Sequence, residues 1–193
     1  MPNSQPITLL INANPKSTSF CHAIIKTIHA QLILKDEVVH LYELNDLSFN
    51  VDLPEGYAKA LTLEADLIRF TQSLQNASNI IIVTPVWWGG LPAKFKGLID
   101  RVFVPGVAFR FEKNKSLPIQ LLKGKTAQLI FTLDTPVFYF KFWQKAPAVN
   151  ELEKTILNFC GVKVTKKIYF SPLVKSNAAD RNKWLKKVGE IFK

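Results

Sequence analysis

The stretch ITLLINANPKSTSF (7–20), running into CHAIIKTIHAQL (21–32), decides how this chain folds. ITLLINA (7–13) is a short, almost unbroken apolar run with β-branched residues, ended by Asn14-Pro15. Lacking polar alternation, it has no face to offer water, which predicts a strand buried on both sides in the middle of a parallel sheet. Directly after it Phe20, Ile24, Ile28 and Leu32 recur at helical spacing with Cys21 and Ile25 alongside. That spacing predicts a helix, with Ser17, Thr18 or Ser19 available to cap it.

The same alternation repeats along the rest of the chain. EVVHLYEL (37–44) reads as a second, more polar strand, and Leu61, Ala65, Ile68, Phe70 and Leu74 form a helical stripe. IIIVT (80–84) is the most buried-looking strand, and PAKFKGLIDRVF (92–103) resumes helical spacing with Pro92 in its first turn, where a missing N–H costs nothing. TAQLIFT (126–132) is a fourth strand, Val149, Leu152, Ile156 and Phe159 mark a helix that Gly161 ends, and 162–170 is a fifth strand. An amphipathic helix over 178–192 closes the pattern. Strands alternating with helices predict an α/β three-layer sandwich: a five-stranded parallel sheet in the order 2-1-3-4-5 with helices on both faces. No repeat or composition shift divides the chain, so 1–193 reads as one domain.

Composition excludes several classes. With 48% hydrophobic and 21% charged residues among 193, the chain is not intrinsically disordered. The net charge is +10, and residues 161–193 hold nine basic residues against Asp180 and Glu190. Such an excess reads as a solvated face, with a nucleic-acid or membrane-surface footprint as the sharper alternative. No RNA-binding aromatic motif or helix-turn-helix pattern accompanies it, so nucleic acid is not expected as a partner, while peripheral contact with a membrane stays open. Cys21 and Cys160 lack CxxC spacing, which fits a reducing compartment. His22, His29 and His40 form no HExxH-like cluster, and no metal is expected. The N-terminus lacks a basic signal-peptide region, and the uncharged stretch 77–93 is broken by Pro85, Gly89, Gly90 and Pro92, which is unlike a membrane helix. A soluble, cytoplasmic protein is expected.

In such a sheet ligands bind beyond the carboxyl ends of the strands, where strand order reverses. Here that point falls between the strands ending near 13 and 84, and it selects the loops 14–19, 85–91 and 133–143. The first loop gathers Asn14, Lys16, Ser17, Thr18 and Ser19 at a helix start, a combination that suits a phosphate or simply caps the helix. It contains no glycine, unlike the loops that approach a diphosphate or triphosphate closely, so a GxGxxG dinucleotide site or an ATP site is not expected. The second loop places Trp87 and Trp88 at a strand end, suited to a planar ring or to a subunit contact. The third, LDTPVFYFKFWQKAPA (133–148), carries Phe138, Tyr139, Phe140, Phe142 and Trp143, which read as a packed lid, a dimer contact or a wall for an aromatic acceptor.

NPKSTSFCHAI (14–24), EADLIRF (64–70) and above all TPVWWGGLPAKFKGLIDRVFVPGVAFRFE (84–112) resemble the flavodoxin-like NAD(P)H dehydrogenase (quinone) family. That family includes the quinone reductases and the modulator of drug activity B type proteins. The resemblance spans nearly the whole chain and implies a flavodoxin-like domain binding FMN or FAD. It also implies a homodimer that passes hydride from NAD(P)H to a quinone-like acceptor by a ping-pong mechanism. Carried over by position, it sets Asn14, Ser17, Thr18, Ser19 and Phe20 around the flavin phosphate and ribityl chain. Pro85, Val86, Trp87, Trp88 and Gly89 then lie along the isoalloxazine, and Thr132, Asp134 and Thr135 reach its polar edge. Two departures stand out: Asn14 replaces a common His, and the third loop lacks the Gly-rich turn and His that quinone reductases carry. Tyr139 is left as the candidate catalytic phenol. The alternative implied by other relatives is a regulatory or ancillary subunit of a membrane transporter or another partner.

Overall fold

A computed structural model describes residues 5–54, 56–57, 62–113 and 117–193. The elements run β1 (Ile7–Asn12), α1 (Phe20–Leu34), β2 (Val38–Glu43), α2 (Ala65–Asn76), β3 (Asn79–Pro85) and α3 (Ala93–Val102). After them come β4 (Phe109–Arg110), β5 (Ile119–Gln120), β6 (Thr126–Thr132), α4 (Pro147–Asn150), β7 (Lys163–Phe170) and α5 (Ala178–Phe192). The main sheet has the order β2-β1-β3-β6-β7, and every pair in it is parallel. Counting only its own strands, this is the 2-1-3-4-5 order that the alternation of elements predicts. Of the predicted helical stripe, Leu61 lies outside the described residues.

The pleat explains why β1 reads as continuously apolar. Successive side chains point to opposite faces, and both faces are covered. Leu9 and Ile11 join Leu67, Phe70, Phe95 and Leu129 under α2, α3 and α4, whereas Leu10 joins Ile24, Ile28 and Val188 under α1 and α5. Each such Leu or Ile contributes about 1.5–3 kcal/mol by leaving water. The edges follow a different rule. β7 exposes Lys163, Lys166 and Lys167, charges that discourage further strand pairing.

Three features differ from the sequence reading. β4 and β5 form a two-stranded antiparallel ribbon, too short to leave a periodic signal. The predicted helix through Val149 and Ile156 starts as α4 and continues as π-helical turns over Glu151–Leu157, with a further π-helical turn at Tyr139–Trp143. Pro92 caps α3 from outside, one residue before its first turn. Gly161 is where it must be: its φ is +94°, and a Cβ there would stand 2.9 Å from the Cβ of Gln120.

One buried cation organises the loop ahead of α2. Arg101, almost inaccessible, donates to Glu64 Oε2 at 2.8 Å and to the Thr62 carbonyl at 3.1 Å, and it also donates to the carbonyl of Asn50. A charge so buried is tolerated because every contact is an acceptor. Among the described residues no helix is long and apolar enough to cross a membrane.

Candidate functional site

β1, β3 and β6 are neighbours, so the three loops that follow them emerge side by side at the sheet's carboxyl edge. Backbone bonds extend the sheet into these loops: Ala13 N–H to Val83 O at 2.8 Å, Val86 N–H to Thr132 O at 2.8 Å, and Leu133 N–H to Phe170 O at 3.1 Å. Loop residues anchored to a sheet on both sides have little freedom, which suits a site that must be preorganised.

The turn after β1 satisfies itself. Asn14 N–H donates to Asn12 Oδ1 at 3.1 Å, Lys16 N–H donates to Asn14 Oδ1 at 2.9 Å, and Ser19 Oγ caps α1 by accepting from His22 N–H at 3.3 Å. Asn14 is therefore buried as a shaper of the turn. Ser17 and Thr18 stay exposed, their hydroxyls making no hydrogen bond among the described residues. A network that the sequence reading missed supports them: Glu43, at the end of β2, accepts from Asn12 Nδ2 at 2.6 Å and meets His22 Nδ1 at 3.1 Å. Phe20 turns away from this turn and packs on Phe170 and Trp184, ring centroids 6.1 and 5.8 Å away. Only its backbone is left to face a ligand there.

The turn after β3 is held by a reciprocal pair, Trp87 N–H to Gly90 O at 3.1 Å and Gly90 N–H to Trp87 O at 2.9 Å. Its central residues, Trp88 and Gly89, have φ of +53° and +80°. Positive φ at both is the mark of a type I′ turn, which glycine and asparagine adopt freely and tryptophan does not. Trp88 is fully exposed and Trp87 half so. Gly89 rests on the start of α4: its carbonyl accepts from Ala148 N–H at 2.9 Å, and a Cβ on it would stand 3.3 Å from Pro147 Cγ.

These residues border a cleft of about 560 Å³. One wall is Val86, Trp87, Trp88 and Gly89; the other is Leu133, Asp134 and Thr135; Gln144 closes the end. Asp134 accepts from Val174 N–H at 2.7 Å, and the Thr135 carbonyl accepts from Ser171 Oγ at 2.6 Å, so the second wall is pinned by the segment after β7. Strain collects at the same place. Of the four non-glycine residues with positive φ among those described, Trp88 lines the cleft, while Lys145 and Ala146 immediately follow Gln144. Such backbone persists only where its surroundings over-determine it, as at ligand clamps.

Not every predicted residue reaches the cleft. Pro85 is buried as the last residue of β3, and Thr132, only 2% exposed, bonds through its hydroxyl to the Cys21 thiol at 3.3 Å. Thr132 contributes its carbonyl to the sheet instead of a hydroxyl to a ligand. Burial pushes the Cys21 thiol above its ordinary pKa and that of Cys160 up to about 11, so both are neutral and free. Tyr139, 44% exposed, stacks on Trp143 with centroids 6.1 Å apart and stands outside the cleft lining. The polar side chain that its segment sends into the cleft is Gln144, reached because the π-helical turn ends with Gln144 N–H on the Tyr139 carbonyl at 3.1 Å. A lone glutamine among aromatics leaves no motif to read.

Among the described residues, Asp134 is the only ionisable side chain lining the cleft. Flat indole surface, amide, hydroxyl and backbone donors suit holding a planar heteroaromatic ring. The free hydroxyls of the neighbouring turn suit a phosphate.

A doubly wound parallel sheet with a ring-sized cleft at its carboxyl edge, between the loops that follow β3 and β6, defines the class of protein. Residues 7–191 match the family described as having a flavodoxin-like fold, and the chain belongs to that family. It is 30% identical over 161 residues to an uncharacterized NAD(P)H oxidoreductase of Haemophilus influenzae, covering 80% of this chain and 78% of that one. It is 30% identical over 125 residues to ribosyldihydronicotinamide dehydrogenase [quinone] of Mus musculus, a match covering 61% of this chain and only 51% of the mouse protein. It is 26% identical over 174 residues to an FMN-dependent NADH:quinone oxidoreductase of Caldicellulosiruptor bescii, covering 83% of each. Among solved structures, Smu.1420 from Streptococcus mutans UA159 superposes with a TM-score of 0.79 at 30% identity, covering 96% of this chain and 98% of that one.

Proposed function

We propose that the cleft holds the isoalloxazine of FMN, and that the protein is an oxidoreductase passing hydride from NAD(P)H to a quinone or similar aromatic acceptor. The observation that carries this reading is the union of Trp87, Trp88, Asp134, Thr135 and Gln144 around one cleft beside a phosphate-competent turn. The names of the Haemophilus and Caldicellulosiruptor relatives support it. FMN is favoured over FAD because Ser17 and Thr18 stand free at a glycine-free turn, which suits a terminal monophosphate better than a closely approached diphosphate. When bound, the flavin supplies the hydride chemistry itself.

The chain's own residues bind and orient. Trp87 and Trp88 would offer aromatic surface to the ring from one wall, while Gln144 and Thr135 would offer polar groups to its edge. Gln144 thus takes the part that the resemblance gives to Tyr139, whose phenol stands at the rim. The exposed Trp88, Phe138, Phe142 and Trp143 form an aromatic surface that suits a second copy of the chain, and we propose a homodimer.

Absorbance and mass of the cofactor released from purified protein, followed by steady-state oxidation of NAD(P)H with menadione, test this reading. Release of about one FMN per chain and turnover well above that of free FMN are expected. Protein that binds neither flavin overturns the proposal. Turnover no faster than free flavin favours the regulatory-subunit alternative. Light scattering checks the dimer.

A further inference from the structure

On the far side of the Gln144–Ala146 ridge lies a second groove, of about 420 Å³, whose walls include Lys141, Lys145, Lys154, Lys167, Glu153 and Tyr169. Among the described residues its one carboxylate is already occupied: Lys167 Nζ donates to both oxygens of Glu153, at 2.8 and 2.7 Å. Lys141 lies over the Tyr169 ring, 4.2 Å from its centroid, a contact that holds the ammonium in place without neutralising it. Lys145 and Lys154 have no acidic partner among the described residues. Three uncompensated cations therefore face one concave space, an arrangement whose mutual repulsion an anion relieves.

The backbone holds this arrangement firmly. Lys145 and Ala146 have φ of +59° and +46°, and the Lys145 carbonyl accepts from Asn150 Nδ2. Two consecutive left-handed non-glycine residues are maintained where the chain turns from the cleft into the groove. Gln144 lines the one, and Lys145 and Ala146 line the other, so the two spaces share a single wall.

We propose that this groove receives the phosphate groups of the dinucleotide electron donor, so that NADPH, with its additional 2′-phosphate, is favoured over NADH. The inference rests on the reading of the neighbouring cleft as the redox site. A donor whose nicotinamide enters the cleft crosses the Gln144–Ala146 ridge and sets its anionic half among Lys141, Lys145 and Lys154. Charge-assisted contacts from these side chains bind the donor without touching the reacting atoms, so they act on donor KM and leave the chemical step alone.

The test uses the FMN-loaded protein and its Lys145→Glu/Lys154→Glu variant. Calorimetric titration with adenosine 2′,5′-bisphosphate is expected to show binding to the wild type at least tenfold tighter than to the variant, weakening as salt is raised. KM for NADPH should rise at least tenfold in the variant with kcat changed less than twofold. KM for dihydronicotinamide riboside, a donor without phosphate, should stay the same, and Lys145→Arg/Lys154→Arg should restore NADPH. Unchanged bisphosphate affinity in a protein that NADPH does reduce overturns the groove and leaves the redox reading intact, as does an equal loss with both donors. A wild type that no donor reduces sinks the redox reading and the donor assignment with it.

Discussion

Two turns leave neighbouring strands at the same edge of the sheet and are built in opposite ways. The turn over 14–19 has no residue of positive φ, and its polar groups bond one another through Asn12, Asn14 and Ser19. The turn over 87–90 has a tryptophan in the left-handed region, which costs about 1–2 kcal/mol for a residue with a Cβ. The first is closed by hydrogen bonds among its own residues, with Glu43 bracing Asn12 and His22 at its two ends. The second is maintained from outside, by the docking of Gly89 on Pro147 and Ala148, and it is the one that turns large aromatic surface outward. Where local preference is overruled, the overruling contact and the candidate site coincide.

Substitutions that attack each turn can break that contrast. Gly89→Val places a β-branched residue at φ +80° against Pro147 Cγ, and an expected loss of about 3 kcal/mol combines left-handed strain with overpacking. Chemical denaturation measures it, and a loss below about 1 kcal/mol would show that the turn yields. Trp88→Asn installs the Asn-Gly pair that type I′ turns favour, so stability should rise by about 1 kcal/mol while FMN affinity falls by about 1–3 kcal/mol in fluorescence titration. A variant that gains stability and binds FMN unchanged would separate strain from function.

The quieter turn should respond more mildly. Ser19→Ala removes the cap of α1 and should cost about 1 kcal/mol by thermal or urea unfolding, with no gain in any other property. The smallest effects concern the third loop. Gln144→Leu should slow flavin reduction by NAD(P)H about tenfold, the equivalent of about 1.4 kcal/mol, whereas Tyr139→Phe should slow it less than threefold because its phenol stands at the rim. Stopped-flow absorbance compares the two, and the reverse ranking would return the donor role to Tyr139.

Much of the fold was legible in the sequence because burial on both faces writes itself as unbroken apolar runs. ITLLINA and IIIVT needed no partner to be read as buried strands, TAQLIFT followed as a fourth, and the alternation with helices left one economical strand order. The hydroxyls of 14–19 were legible for a similar reason, since helix caps and Asx turns are local chemistry. Even the Trp87-Trp88 pair stood out, as aromatic surface at a strand end with nothing nearby in sequence to cover it.

What the tertiary structure alone decided is how these residues face. Thr132 ends β6 and Phe20 begins α1, each beside a loop at the sheet's carboxyl edge, yet Cys21 and Trp184 claim their side chains from elements read separately. Gln144 enters the cleft because the chain makes a π-helical turn at Tyr139–Trp143 and then two left-handed residues, a path that no spacing rule announces. Sequence spacing reports on interactions between residues a few positions apart, and so it determined the strands, the helices and the self-bonded turn. The cleft wall is set by a contact between Gly89 and Ala148, residues far apart along the chain, and such contacts exist only once the sheet has brought the two loops together.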